Sequence, residues 1–156
     1  YVIYNSVARP AILAPAVTWY YPPLDAALME EAAQHWIGEH DFSSFRGPDC
    51  QSKTARRCIQ AIRVLRQDKL VIIEIVGNAF LHHMVRNMVG VLFLIGQARK
   101  ETAWALEVLK AEDRRAAAMM APATGLYLAK VHYPVHYDLP IAVPGPFFLS
   151  ASLGMM

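Results

Sequence analysis

RRCIQAIRVLRQDKLVIIEIVGN, residues 56–78, decides the architecture. Two runs rich in β-branched and apolar residues, 56–66 and 70–76, flank Gln67-Asp68-Lys69, which reads as the connection of an antiparallel hairpin. The first run alternates only in part, through Cys58, Ile62 and Val64, whereas the second is almost continuously apolar and so largely buried. Gly77-Asn78 ends it.

Downstream of the hairpin, residues 79–99 carry Met84, Met88, Val91, Leu92 and Ile95 on one helical face, which predicts a long helix. A second helix is expected at 101–111, with 112–120 continuing it. Residues 126–133 read as a last strand that Pro134 ends, and 138–156 as a peripheral tail. Upstream, residues 39–54 are polar and rich in turn formers and read as a loop. Before it, Asp25 stands near the N-terminus of a helix to about residue 37, stopped by Gly38. Two strands, about 1–5 and 16–21, precede that helix and are joined by a turn near Arg9-Pro10. From residue 16 the order is strand, helix, strand, strand, helix, strand. This is the split β-α-β-β-α-β order of a ferredoxin-like α+β half, an antiparallel-rich sheet with its helices on one face.

Composition narrows the function. The 156 residues are 55% apolar and 18% charged, ample for one core and unlike a disordered tail. The longest uncharged apolar run, residues 88–96, is far short of the roughly twenty that a membrane span needs. No basic segment followed by an apolar run opens the sequence, so no secretory signal is expected, and Cys50 and Cys58 form neither a disulfide framework nor a metal-binding CxxC pair. A cytoplasmic protein is expected. Position 1 is Tyr and YVIYN is already strand-like, so residues 1–156 are expected to be the C-terminal portion of something longer.

The net charge of +2 argues little, but its distribution says more. Residues 50–66 hold five basic side chains (Lys53, Arg56, Arg57, Arg63 and Arg66) and no acidic one. Such a cluster either neutralises phosphates or forms a solvated strand edge that resists aggregation. In HDFSSFRG, residues 40–47, Phe42, Phe45 and Arg46 could stack on bases and grip phosphate; packing of both phenylalanines under the loop is the preferred alternative.

NAFLHHMVRNMVG, residues 78–90, is the richest string. On a helical wheel Arg86 shares a side with His82, Gly90 and Gln97, opposite Met84, Met88 and Ile95. The planar fork of Arg86 suits a carboxylate or phosphate, and a glycine inside a helix needs a reason such as close approach of another backbone or a ligand. An exposed arginine on a solvated face is the plainer reading. His82 and His83 diverge on a helix and lack a third ligand at metal spacing, and Pro134 stands between His132 and His136, so no metal site is expected. There is no GxSxG, P-loop or GxGxxG string.

Together HDFSSFR, CQSKTARRCI, NAFLHHMVRNMVG, GLYLAKVHYP and GPFFL resemble, in order and spacing, the C-terminal half of the tRNA pseudouridine synthase A family, from Tyr1 to Leu149. The resemblance implies a pseudouridine synthase fold whose two related halves face an RNA cleft. It also implies a homodimer, without cofactor or metal, that isomerises uridines 38 to 40 in the anticodon arm of tRNA. Arg86 would stand beside the catalytic Asp, orienting its carboxylate and keeping it ionised. Leu126 would lie beside the target base, and Phe42, Arg46, Lys53, Arg56, Arg57 and His82 would face or border the RNA. None of the six Asp residues here has the family's GRTDAGVH-like surroundings, and Tyr1 falls two residues after the family's active-site Tyr. The sequence is therefore expected to be inactive alone, the catalytic-Asp half lying elsewhere. The competing reading is a non-catalytic module for RNA binding or dimerisation.

Overall fold

In the computed structural model the hairpin is the centre of a five-stranded sheet, and the described residues are 1–137, 139, 145, 146, 148 and 149. Strands β1 (Val2–Asn5), β2 (Thr18–Tyr20), β3 (Gly38–Asp41), β4 (Arg56–Gln67) and β5 (Leu70–Gly77) lie in the order β2-β1-β5-β4-β3. The β4–β5 pairing runs from Ile59↔Gly77 to Gln67↔Leu70 and closes through Asp68, at φ +50°, a left-handed conformation that Asp tolerates in turns. A register shift between Ile59 and Ala61 explains the imperfect alternation of β4: the extra residue lets Ile59 join Ile62 and Val64 in the core.

Three helices complete the fold: α1 (Ala26–Gln34), α2 (Met84–Gly96) and α3 (Trp104–Ala111). Asp25 caps α1 by accepting the N–H groups of Ala27 and Leu28 at 2.8 and 3.2 Å. Met29, Ala33, Met84, Met88, Leu92 and Ile95 pack with Ile3, Ile59, Val71 and Ile73 into one main core, so the helices share one face of the sheet. Truncating a fully buried Met such as Met88 to Ala in a core of this kind costs about 2–5 kcal/mol. On the opposite face Val2, Val17 and Ile72 form a smaller buried cluster, with Tyr4, Tyr127, Phe148 and Leu149 packed against them. The mixed α+β class and the mostly antiparallel sheet agree with the sequence reading.

Five local expectations are corrected. The first two strands pair in parallel, Ile3↔Thr18 to Asn5↔Tyr20, so residues 6–17 form a crossover and not a hairpin turn. Residues 38–41, expected to stop a helix and begin a loop, form edge strand β3, recruited by the free side of β4 despite the poor strand propensity of Gly-Glu-His-Asp. The long helix begins at Met84, not 79, because His83 takes φ +61° and breaks the helical run. Residues 112–120 are not helical apart from a short turn at Arg114–Ala116. Glu112 ends α3 in the left-handed region, and residues 117–120 pass over α2 without helical structure, the Met119 carbonyl lying against Gly90. Residues 126–133 pair with no strand among the described residues. The expected tail at 138–156 lies mostly outside the described residues.

Candidate active site

The alternation of β5 sends Ile72, Glu74 and Val76 to the face without helices, where they floor a cleft of ≈ 810 Å³. The segment leading into α2 makes one wall and residues 126–132 the other. Three residues singled out in the sequence, His82, Arg86 and Leu126, line this cleft together. They come from segments forty residues apart, and two glycines explain how those segments meet.

Gly90 is the first. A Cβ there would lie 2.1 Å from the carbonyl oxygen of Met119, so only glycine lets the 117–121 segment rest on the helix. That contact brings Ala121 to Arg86, whose Nε donates to the Ala121 carbonyl at 2.8 Å while the Ala121 N–H donates to the Arg86 carbonyl at 3.1 Å. The side of α2 that holds Arg86 and Gly90 is thus covered by backbone and is not a solvated face. Among the described residues Arg86 has no other side-chain hydrogen bond and no ion pair, so both Nη groups of its fork remain available. Glu74, the carboxylate in the cleft floor, is paired with Arg63 at 2.6 Å.

Gly125 is the second. At φ +86° it sits where a Cβ would come within 2.3 Å of the Val2 carbonyl oxygen, and its own carbonyl accepts from the Val2 N–H at 2.8 Å. Tyr127 then donates its hydroxyl to the Ala16 carbonyl at 2.6 Å, so Leu126 between them is held over the cleft, 42% exposed. Tyr1 braces the same segment from beneath, bonded through its hydroxyl to Pro122 O at 2.7 Å and Thr18 Oγ1 at 2.6 Å. Burial pushes the Tyr1 phenol up to about 12, against the opposing pull of Thr18 and the Arg86 charge. Its hydroxyl is a structural brace.

His82 stacks on His83 with ring centroids 3.7 Å apart, and its carbonyl accepts from the Gly47 N–H at 2.9 Å. Desolvation, and then the charges of His82 and Arg86, hold the His83 imidazole below its ordinary value. The other sequence candidates lie outside the cleft. Phe42 is fully buried in the core with Phe45, so it supports the 40–47 loop and presents no surface. Arg46 donates to the carbonyls of Cys50 and Ser52 at 2.9 and 2.8 Å and shapes its own loop. Lys53 is exposed, Arg56 pairs with Glu39 at 3.0 Å, and Arg57 bonds the Thr54 carbonyl at 3.2 Å and Ser52 Oγ. This basic strip adjoins the cleft wall where Gly47 meets His82 and where the Cys58 N–H donates to Asn78 Oδ1 at 3.0 Å.

The roles of Ala121, Gly125 and Tyr1 escaped the sequence reading. The usable signal was Gly90, an unexplained glycine in an apolar helix that announced a close neighbour. Among the described residues no group of His, Cys, Asp and Glu could hold a metal ion, and no helix is long and apolar enough to cross a membrane.

A family model described as tRNA pseudouridine synthase matches residues 32–134. The chain is also 52% identical over 149 residues to a tRNA pseudouridine synthase A from Coxiella burnetii, covering 96% of this chain and 57% of that protein. Against the proteins of the same name from Klebsiella pneumoniae and Pseudomonas aeruginosa it is 50% identical over 150 residues, covering 96% of this chain and 56% and 53% of theirs. The chain therefore spans a little over half the length of these curated relatives.

Proposed function

The chain belongs to the tRNA pseudouridine synthase family, and on that premise we propose that it is the C-terminal, Arg86-bearing half of a homodimeric synthase acting in the cytoplasm on uridines of the tRNA anticodon arm. The observation that carries this reading is the state of Arg86: held at Nε by the Ala121 carbonyl, lining a cleft, and bonded to no carboxylate among the described residues. An Asp supplied by the rest of the protein would meet the open side of the fork. There the guanidinium orients the carboxylate and favours its ionised form, which the reaction needs when the N-glycosidic bond breaks. The base then turns within the cleft, its C5 bonds to the ribose carbon that N1 left, and the C5 proton is lost as N1 takes one up. Leu126 offers an apolar contact to the base, while His82 and the strip of Lys53, Arg56 and Arg57 border the RNA and meet its phosphates. By itself the chain brings the cleft and the cation but not that Asp.

The test is pseudouridine formation on an anticodon-arm substrate by the full-length protein that carries this chain, beside residues 1–156 alone. Activity of the full-length protein only is expected. Turnover by residues 1–156 would overturn the division of labour, and a full-length protein that binds tRNA without modifying it would favour the non-catalytic module.

A further inference from the structure

Asn87, next to Arg86 on α2, is a polar residue only 1% exposed that the cleft does not use. Its amide is engaged at both ends: Nδ2 donates to the Phe45 carbonyl at 2.7 Å, and Oδ1 accepts from Arg114 Nη2 at 3.0 Å. Arg114 opens the segment that crosses Gly90 and ends at Ala121, the residue that holds Arg86 Nε. Neighbouring residues of one helical turn thus grip the same segment near its two ends, Asn87 at Arg114 and Arg86 at Ala121. Asp113 adds a third tie at the Arg114 end, its N–H donating to the fully buried Ser44 Oγ at 2.9 Å.

We propose that Asn87 and Arg114 are positioning residues for Arg86. They fix the near end of the 114–121 segment so that the Ala121 carbonyl meets Arg86 Nε at one orientation and the fork is preset toward the cleft. The physical case rests on what Arg86 would lose without them. An arginine side chain has several rotatable bonds, and one hydrogen bond to a strap that can slide does not select a direction. Asn87 is suited to the task because its amide both donates and accepts, and here it does so to two different elements. This inference rests on the reading of Arg86 as the partner of a catalytic carboxylate. The geometry of the strap can nevertheless be measured separately.

The experiment uses the full-length protein with ¹⁵N-labelled arginine. Solvent exchange of the Arg86 Nε–H reports the bond to Ala121, and turnover at saturating tRNA reports the chemistry. Arg114→Gln, at a half-exposed site, is the main variant, its amide ending two bonds short of the guanidinium nitrogen that meets Asn87 Oδ1, and Arg114→Lys, whose longer stem carries a donor nearly as far, is the rescue. In Arg114→Gln the Nε–H is expected to exchange roughly tenfold faster, and saturated turnover to fall by about tenfold, with the KM for tRNA unchanged, as small misplacements in active sites do. Arg114→Lys is expected to restore most of both. Unchanged exchange in a folded Arg114→Gln protein would overturn the proposal. Faster exchange with full turnover would support the strap's hold on Arg86 and overturn the catalytic assignment of Arg86 instead. If Arg114→Gln fails to fold, Arg114→Met, which removes every donor to Asn87 Oδ1 and keeps an unbranched apolar stem, provides the same comparison: faster exchange in it would support the proposal, and unchanged exchange would overturn it.

Discussion

Arg86 and Ala121 are bonded twice, main chain to main chain at 3.1 Å and guanidinium Nε to carbonyl at 2.8 Å. This reciprocal pair joins helix α2 to a segment thirty-five residues further along the chain. It ties the stretch that leads to one wall of the cleft to the helix that follows the other.

The pair requires Gly90. In Gly90→Ala the new methyl would collide with the Met119 carbonyl, and the propensity gain of Ala in a helix does not offset a clash against backbone. Urea denaturation of the variant should show a loss of about 1–3 kcal/mol. Stability equal to the parent protein would mean that the strap does not lie on the helix.

Gly125 makes the equivalent demand at the other wall. Gly125→Ala combines a left-handed φ of +86° with a Cβ 2.3 Å from Val2 O. A destabilisation of roughly 1–3 kcal/mol is expected from strain and displacement together. The loss should be accompanied by greater solvent exchange at the Val2 amide, whose hydrogen bond to Gly125 would be stretched.

The basic strip can be tested without confusing binding with folding. The ion pair of Arg56 with Glu39 is largely exposed and contributes no more than about 1 kcal/mol, whereas Arg57 also holds Ser52 Oγ and the Thr54 carbonyl, so both are replaced by Gln, singly and together, with urea stability measured beside binding. If both arginines meet phosphates, tRNA affinity should fall and the slope of log affinity against log salt should decrease by roughly one per lost contact. An unchanged slope would remove these residues from the RNA path.

Alkaline titration tests the brace at Tyr1. Its phenol ionises near 12 when folded, against an ordinary value of 10. Between those values the unfolded chain has released the proton and the folded chain has kept it. The contribution of Tyr1 is therefore complete below pH 10 and is lost as pH rises toward 12. Absorbance titration of the parent and Tyr1→Phe proteins should differ by one late-ionising phenol, and the alkaline fall in stability should be shallower in the variant.

The legible parts of this fold are those where local preference and tertiary packing agree. The β4–β5 hairpin is readable because its β-branched runs are themselves the centre of the sheet. Strand β3 is not, since Gly-Glu-His-Asp becomes a strand only through pairing with β4. Residues 117–120, Ala-Ala-Met-Met, are good helix formers, yet they are not helical, because packing of the Met119 carbonyl on Gly90 and the bonds of Ala121 to Arg86 hold them across α2. The alternating pattern at 126–133 resembles a strand, but a strand needs a neighbour and none of the described residues supplies one. As for the site, Arg86, His82 and Leu126 stand out through their motifs and do meet in one cleft, whereas Phe42 proves to be core. Ala121 is invisible in the sequence because it acts through its backbone, which no residue type encodes.

The most direct measurement is single-turnover pseudouridine formation by the full-length protein carrying Arg86→Lys, with tRNA affinity measured in parallel. Lysine retains the charge but lacks both the Nε–H for Ala121 and the planar fork for a carboxylate. The rate is expected to fall by roughly 10²–10³-fold, the scale of a lost electrostatic group in an active site. Affinity for tRNA, spread over many phosphates, should stay within about threefold. A lysine variant that turns over at the parent rate would contradict the role assigned to Arg86.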